Sequence, residues 1–275
     1  MPIDVERLRT ECAYQSQAPV AVLSGELDEI GKAVQGWTTY RRRIRYLCIA
    51  LLFAGAGCIA IGPVWGALAA FAAAIAGFVY AFKYARGAIT HLKRCETLKK
   101  LVATFADDAH PKSPVSVKLS LQDKRELLKE AAWSRRKNGK EKYFTEPWLS
   151  FEMRLLDGTN VSETVTDLIR VRTFTNPRGK SKTKTRTRHI VALRFAYPAE
   201  VYGDLRQTGA RLKDPIKLPD KAHLKGLGVT EHDVKVKVRV DGEETLAHAC
   251  SMASLGAYRM MNLGRRIAVK QGGGK

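Results

Sequence analysis

The longest stretch without a charged side chain extends from Tyr46 to Phe82 and covers 37 residues. As one unbroken helix it would measure about 55 Å, nearly twice the roughly 30 Å hydrocarbon core of a bilayer. Gly62 and Pro63 lie near its middle, and both residue types interrupt helices. The sequence therefore predicts a transmembrane helical hairpin over 46–82, with spans at 46–62 and 64–82. The alternative is a buried helical hairpin in a large soluble core.

Basic residues flank this run at both ends, while the turn between the two spans has none. They are Arg41, Arg42, Arg43 and Arg45 before the first span, and Lys83, Arg86, Lys93 and Arg94 after the second. Lys and Arg near span ends are retained on the cytoplasmic side of a membrane. We therefore expect the hairpin to lie in a bacterial inner membrane, with both termini in the cytoplasm.

Small residues recur at four-residue spacing along both predicted spans. They are Ala50, Ala54, Cys58 and Gly62 in the first, and Ala69, Ala73, Gly77 and Ala81 in the second. Such stripes allow helices to pack closely in lipid. We expect the two stripes to face each other within the hairpin; the alternative is that they join neighbouring copies in a homo-oligomer. The absence of Asp, Glu, Lys, Arg and His from the spans argues against a transporter core.

The formal net charge of the 275 residues is +20, and residues 83–275 carry +19 of it. A basic domain tethered to a bilayer is attracted to the anionic inner leaflet, and the same charge would attract nucleic acid. The five cysteines have no paired spacing, which predicts neither a zinc site nor a disulfide framework. This cysteine usage fits a reducing cytosol.

Helical patterns occur on both sides of the hairpin. Residues 1–45 are predicted to be an N-terminal cytosolic helical segment, in which Leu27, Ile30 and Val34 repeat at helical spacing. Residues 83–111 are predicted to be a juxtamembrane helix with an apolar stripe from Ile89 to Phe105. We expect the two segments to pack together as a short stalk, and a coiled-coil contact between copies is the alternative.

From residue 112 onward the apolar residues alternate with the period of strands. Strands are predicted at 115–121, 143–156, 161–174, 182–197 and 229–241, and hairpin turns at Asn138–Gly139, Asp157–Gly158 and Asn176–Gly179. Successive hairpin turns favour an antiparallel meander. A helix is predicted from Glu243 to Leu263, and a flexible tail over 271–275. Residues 112–270 should thus form a cytosolic antiparallel β-rich domain with a C-terminal helix, within a membrane-anchored α+β protein.

Cations occupy every second position in two of the predicted strands. The first set is Lys180, Lys182, Lys184, Arg186 and Arg188, and the second is Lys235, Lys237 and Arg239. Alternate side chains of a strand share one face of the sheet. If the two strands are close, the eight cations form one flat basic surface, which we interpret as a site for an anionic surface. The alternative is an exposed edge whose charges prevent aggregation.

Lipid headgroups are the preferred ligand of this surface, because the hairpin already holds the domain near a bilayer. Single-strand nucleic-acid binders interleave their cations with aromatic residues, whereas threonines separate the cations here. Glu244 and His248 lie one helical turn apart, but a single pair without a third ligand is typical of a helix surface. No catalytic motif occurs, so we predict no catalytic residue, no metal and no cofactor.

These patterns together predict a non-enzymatic membrane-anchored protein. Its basic cytosolic domain is expected to bind an anionic surface or a protein partner in a membrane-associated assembly. A membrane-tethered nucleic-acid-binding module is the first alternative. An enzyme whose site is assembled from dispersed polar residues is the second.

Overall fold

The computed structural model describes residues 5–61, 64–84, 86–90, 92–122, 125–133, 139–175, 179–203, 205–206 and 216–272. The chain divides into two compact units. The helical unit consists of Met1–Cys12 and Glu26–Leu92, and the β-rich unit consists of Ala13–Gly25 and Lys93–Lys275. Each unit is built from segments that are not adjacent in the sequence.

The helical unit is dominated by two antiparallel helices. Its helices are α1 (Val5–Glu11), most of α2 (Val20–Ile61), α3 (Val64–Lys83) and α4 (Arg86–Thr90). A Cβ added to Gly77 of α3 would lie 2.5 Å from Sγ of Cys48 in α2. The ring centres of Tyr40, in α2, and Tyr84, just after the C-terminal end of α3, are 5.1 Å apart. The turn predicted at Gly62 and Pro63 lies outside the described residues.

The small residues that are buried in this helix pair differ from the predicted stripes. Cys48, Ala67, Ala74 and Ala81 are buried. In contrast, Ala50, Ala54, Ala69 and Ala73 are exposed, whereas Gly77 is half-buried and Ala81 is buried; Cys58 and Gly62 lie outside the side chains that the structure describes. The prediction that the four-residue stripes face each other is therefore wrong for those four alanines. Helices that cross at a shallow angle meet again about every seven residues, which is the spacing of Ala67, Ala74 and Ala81.

One helix among the described residues, Trp65–Lys83, is long and apolar enough to cross a membrane, with a mean hydropathy of 1.8. The expected two-helix transmembrane hairpin is therefore not confirmed. Large apolar side chains of both α2 and α3 are exposed, including Phe53 at 75%, Trp65 at 84% and Ile75 at 62%.

The β-rich unit contains one antiparallel sheet of eight strands, which confirms an α+β fold. The strands are β1 (Ala13–Ala18), β2 (Val115–Ser120), β3 (Glu126–Trp133), β4 (Gly139–Arg154), β5 (Asn160–Thr175), β6 (Ser181–Ala196), β7 (Ala222–Val229) and β8 (Asp233–Val240). Their order is β1-β2-β4-β5-β6-β8-β7, and β3 pairs with the first half of β4. The predicted meander is present as β3 to β6.

The three longest strands, β4, β5 and β6, extend well past their neighbours. Residues 149–152 of β4 pair with β2, and residues 189–196 of β6 pair with β8. Within the part of the chain that the structure describes, residues 181–188 of β6 pair with β5 alone. This half of the ribbon therefore has β6 as a free edge, and we call it the protruding half.

Two helices cover one face of the sheet, here called the core face. The ring of Phe105 in α5 (Leu92–Phe105) lies 6.5 Å from Phe151 and 6.3 Å from Phe195. The long C-terminal helix, α7 (Glu243–Gly272), follows the short α6 (Ala199–Tyr202). It buries the stripe that the sequence predicted: Leu246, Ala249, Cys250, Ala253, Ala257, Met260 and Met261. The opposite, outer face of the sheet carries alternate residues of every strand.

Two segments differ from the sequence predictions. Residues 13–18 form β1 within the segment that was expected to be helical, and residues 222–229 form β7 within a region that was expected to be irregular. Helix α5 packs on the sheet, and its expected contact with the N-terminal helix stays a prediction. Residues 126–133, which fitted a helix or a strand equally well, form β3. Residues 134–138 and 176–178, with the turns predicted there, lie outside the described residues.

Candidate anion-binding site

The alternation of side chains in β6 sets which cations share a face. His189, Val191, Leu193 and Phe195 are buried on the core face. Positions of opposite parity lie on the outer face, and they include four predicted site residues, Lys182, Lys184, Arg186 and Arg188. Lys180 is exposed and comes just before the strand.

The second set of cations lies on the same face of the neighbouring strand. Lys235, Lys237 and Arg239 of β8 pair with Arg194, Ala192 and Ile190 of β6, which have the parity of the outer face. The structure therefore brings both sets onto one face of one sheet. They occupy different halves of β6, because β8 begins to pair where the protruding half ends.

Several of these cations have acidic neighbours. Nε of Arg188 lies 3.2 Å from Oδ1 of Asp241, and Nη2 of Arg239 lies 3.2 Å from Oδ2 of the same carboxylate. Nζ of Lys235 lies 3.9 Å from Oδ2 of Asp233. Among the described residues, four predicted cations have no ion-pair partner: Lys182, Lys184, Arg186 and Lys237. Three of the four are on the protruding half, so most of the predicted site cations without an acidic partner lie there.

Two further arginines on the outer face were missed by the sequence analysis, which considered no cation of the strand predicted at 161–174. Arg170 and Arg172 both donate to the carboxylate of Glu141, with Nη2 of Arg170 at 2.7 Å and Nε of Arg172 at 2.6 Å. The hydroxyl of Tyr143 also donates to Glu141, at 2.6 Å. The hydrogen bonds from Arg170, Tyr143 and Arg172 lower the pKa of Glu141 to about 2, so this carboxylate is ionised at neutral pH.

The cations predicted to set the membrane topology are exposed or half-exposed at one end of the helix pair. They are Arg41, Arg42, Arg43 and Arg45 in α2, Lys83 at the end of α3, and Arg86 in α4. Cζ of Arg41 and Cζ of Arg86 lie 5.7 Å and 4.6 Å from the ring centre of Phe82. The two flanks of the charge-free run therefore lie side by side.

Arg94 was counted with these flanking cations, and that assignment is wrong. It is 5% exposed in a polar cluster on the core face of the sheet. Its Nη2 donates to Glu146 at 2.6 Å and to Asp167 at 3.1 Å, and its Nη1 donates to the carbonyl oxygen of Ser120 at 3.0 Å. Nδ1 of His189 lies 2.7 Å from Oδ1 of Asp167.

Trp148 also belongs to this polar cluster. Nε1 of Trp148 donates to Asp167 at 2.8 Å. Burial alone would raise the pKa of Asp167, but the hydrogen bond with His189 and the charges of His189 and Arg94 lower it. Register places Glu146, Asp167 and His189 in one row across three strands. Every member of the cluster is buried and bonded to another member, so the cluster ties α5 to the core face of the sheet.

In the described ranges, no three His, Cys, Asp or Glu side chains are grouped in a way that could hold a metal ion. Glu244 and His248 are exposed on α7. No protein-family model, curated protein or solved structure matches this chain.

Proposed function

We propose that this chain is a non-enzymatic, membrane-anchored protein whose β-rich unit binds an anionic lipid surface. The observation that carries the proposal is the group of cations on the protruding half. Lys182, Lys184 and Arg186 are exposed, share the outer face, and have no acidic partner among the described residues.

The expected electrostatic free energy of these three cations near an anionic leaflet is large enough to affect binding. A cation close to an anionic leaflet contributes about 1 kcal/mol, so three cations would tighten binding by roughly a hundredfold. Charges at the edge of a sheet also prevent edge-to-edge pairing. The cations of β6 alone would serve that role, and it does not account for Arg170 and Arg172 on the same face of the inner strand β5.

The membrane anchor in this proposal is the pair α2 and α3. Residues Tyr46–Ile61 and Val64–Phe82 contain no charged side chain, and large apolar groups on both helices are exposed. Exposed apolar patches of this kind are typical of surfaces that contact lipid or protein. The two-helix hairpin with both flanks in the cytoplasm remains part of the proposal, because Arg41, Arg86 and Lys83 lie together at one end of the pair.

The test compares two doubly charge-reversed variants of the full chain, held in nanodiscs of phosphatidylcholine. Lys184→Glu/Arg186→Glu changes the protruding half. Lys100→Glu/Arg259→Glu is the matched control, since both residues are exposed on helices that cover the core face. Binding to vesicles of phosphatidylcholine with or without phosphatidylglycerol is measured by flotation. We expect the first variant to lose about 30-fold or more in affinity for the anionic vesicles and the control to lose little.

Three results would contradict the proposal. The unchanged chain could bind both kinds of vesicle equally, or the two variants could lose affinity to the same degree. A 30-nucleotide DNA or RNA strand could also bind more tightly than anionic vesicles across a salt series, which would favour a nucleic-acid-binding module instead.

A further inference from the structure

The protruding half carries a groove of about 310 Å³ on the outer face of the sheet. We call it the arginine groove and define it by Leu128, Tyr143, Leu168, Arg170, Arg186 and Arg188. Only two of these residues, Arg186 and Arg188, belong to the basic surface that the sequence predicted. The groove is therefore a more specific feature than the alternating cations of β6.

Strand register brings the arginines together. Arg170 of β5 is paired with Tyr143 of β4 on one side and with Arg186 of β6 on the other. Arg188 lies in the next row of the same face, beside Leu168. Neighbouring rows on one face are within reach of long side chains, so three guanidinium groups share one small volume.

Much of the donor capacity of these arginines is unused. Arg170 directs Nε and Nη2 to Glu141 at 3.1 Å and 2.7 Å, which leaves Nη1. Arg188 approaches Asp241 through Nε alone. Arg186 has no acidic partner among the residues that the structure describes. The planar fork of a guanidinium matches the oxygens of a phosphate, and such charge-assisted pairs are the strong ones.

The same groove has an apolar side. Leu128 is 60% exposed and Leu168 is 37% exposed. A free phosphate ion would use the arginines and leave these leucines in water, whereas a phosphorylated lipid would use both. Charge and exposed apolar surface together therefore favour an amphiphile.

We infer that the arginine groove binds the phosphomonoester headgroup of a lipid, with the glycerol and upper acyl chain against Leu128 and Leu168. A monoester offers three terminal oxygens to three guanidinium groups, whereas the diester of an ordinary phospholipid offers only two. This inference rests on the proposed function, because the lipid must be presented by an anionic surface. Beyond that function, the inference predicts that the protein discriminates between lipids of similar charge.

The experiment uses the full chain in phosphatidylcholine nanodiscs and two sets of vesicles. One set contains phosphatidic acid and the other phosphatidylglycerol, at contents adjusted to equal zeta potential. We expect the phosphatidic acid vesicles to bind about tenfold more tightly, which corresponds to one additional charge-assisted hydrogen bond. Arg186→Lys keeps the charge and removes the planar fork, so the affinity ratio should fall towards one. Arg259→Lys, on the other side of the unit, should leave the ratio unchanged.

The outcomes separate the inference from the function on which it rests. Equal binding of the two anionic vesicles would overturn the inference that the arginine groove selects a phosphomonoester, and it would leave the anionic-surface proposal intact. Failure to bind either vesicle would overturn that proposal as well. Inorganic phosphate serves as a competitor: if millimolar phosphate removes the preference and Leu128→Gln does not reduce it, the ligand is a free phosphate and the lipid assignment is wrong. A preference that survives phosphate and is lost in Leu128→Gln supports it.

Discussion

Arg94 is a buried charge on which the stability of the β-rich unit should depend. Its guanidinium is the cation that faces the buried carboxylates of Glu146 and Asp167. Nε of Arg125 is the next nearest cation to Glu146 among the described residues, at 4.0 Å, and its side chain is 43% exposed. Removing one partner of a buried ion pair leaves an uncompensated charge, and this is more costly than the pair itself is stabilising.

We predict that Arg94→Met lowers the free energy of unfolding by about 3 to 5 kcal/mol. The measurement is urea unfolding of the full chain in a non-ionic detergent, followed by tryptophan fluorescence. Lys93→Met is the matched control, since the Lys93 side chain is 48% exposed and forms an ion pair of 3.9 Å with the equally exposed Glu243. The control should change stability by less than about 0.5 kcal/mol. A loss below about 1 kcal/mol in Arg94→Met would contradict this account.

The sequence could not assign Arg94, for a reason that applies to single residues in general. Arg94 follows Lys93 shortly after an apolar helix, and a cation at such a position usually flanks a membrane span. The signal for burial was in distant strands, where Glu146, Asp167 and His189 interrupt apolar positions of the core face. Only the register of three strands places these interruptions in one row. The cations of β6, by contrast, could be placed on one face from alternation alone.

Glu163 is a buried acid that forms no ion pair with any cation the structure describes. Its Oε2 accepts a hydrogen bond from Oγ of Ser254 at 3.2 Å, and Oε1 has no partner among the described residues. Burial raises the pKa of Glu163 to about 7, against the opposing effect of hydrogen bonds from Cys250 and Ser254. Its neighbours across the strands, Phe151 and Leu193, bring no charge.

The raised pKa makes stability depend on pH with a definite sign. In the unfolded chain Glu163 loses its proton near pH 4.5, whereas in the folded chain it does so near pH 7. The folded state thus binds more protons in this window, and stability falls as pH rises through it. We predict that Glu163→Gln removes about 2.5 kcal/mol of this fall between pH 5 and 8. Unfolding curves at several pH values measure the difference, and Glu152→Gln, an exposed acid on the outer face, should leave the slope intact.

At the scale of elements, the strands that were missed share a physical cause. In β7, Gly226 and Gly228 replace two alternating side chains, and the register shifts between Leu224 and Gly226. In β1, glutamine, serine and alanine give little hydrophobic contrast between the two faces. Both strands lie at an edge of the sheet, where one side has no strand to cover it. Strands β4 to β6 and helix α7 were predictable because their apolar faces are buried over many residues.

Gly77 lies in the contact between α2 and α3, whereas Gly57 does not. A Cβ on Gly77 would lie 2.5 Å from Sγ of Cys48, whereas one on Gly57 would have no atom within 4 Å. We predict that Gly77→Ala destabilises the helix pair by about 1 to 3 kcal/mol, because the helices must separate or Cys48 must move. Gly57→Ala makes the same chemical change without that clash.

The two alanine variants are compared by titration with SDS in mixed micelles, followed by circular dichroism. The midpoint should shift to lower SDS in Gly77→Ala and stay within error in Gly57→Ala. Equal midpoints in the two variants would mean that α2 and α3 do not pack as described. The exposed Ala50, Ala54, Ala69 and Ala73 have no part in this contact.

At the scale of the whole molecule, the β-rich unit is not the contiguous domain that the sequence suggested. The boundary predicted at residue 112 omits β1, which pairs with β2, and α5, which supplies Arg94 and Phe105 to the core face. Composition marks where strands begin but not which earlier segments return to complete the sheet. The unit therefore includes Ala13–Gly25 as well as Lys93–Lys275.

This assembly leads to a prediction about two shortened chains. A fragment of residues 112–275 leaves Glu146 and Asp167 buried without Arg94 and exposes the apolar residues that Phe105 covers, so we expect it to aggregate or to unfold without cooperativity. In the second chain, a Gly/Ser linker of about 20 residues replaces residues 26–92. Such a linker has an average span of roughly 25 Å. This chain keeps all eight strands and nearly all of α5. It should give a dispersed amide NMR spectrum and a single cooperative urea transition. A well-dispersed spectrum from the 112–275 fragment would show that β1 and α5 are accessories to the sheet, and would restore the boundary that the sequence predicted.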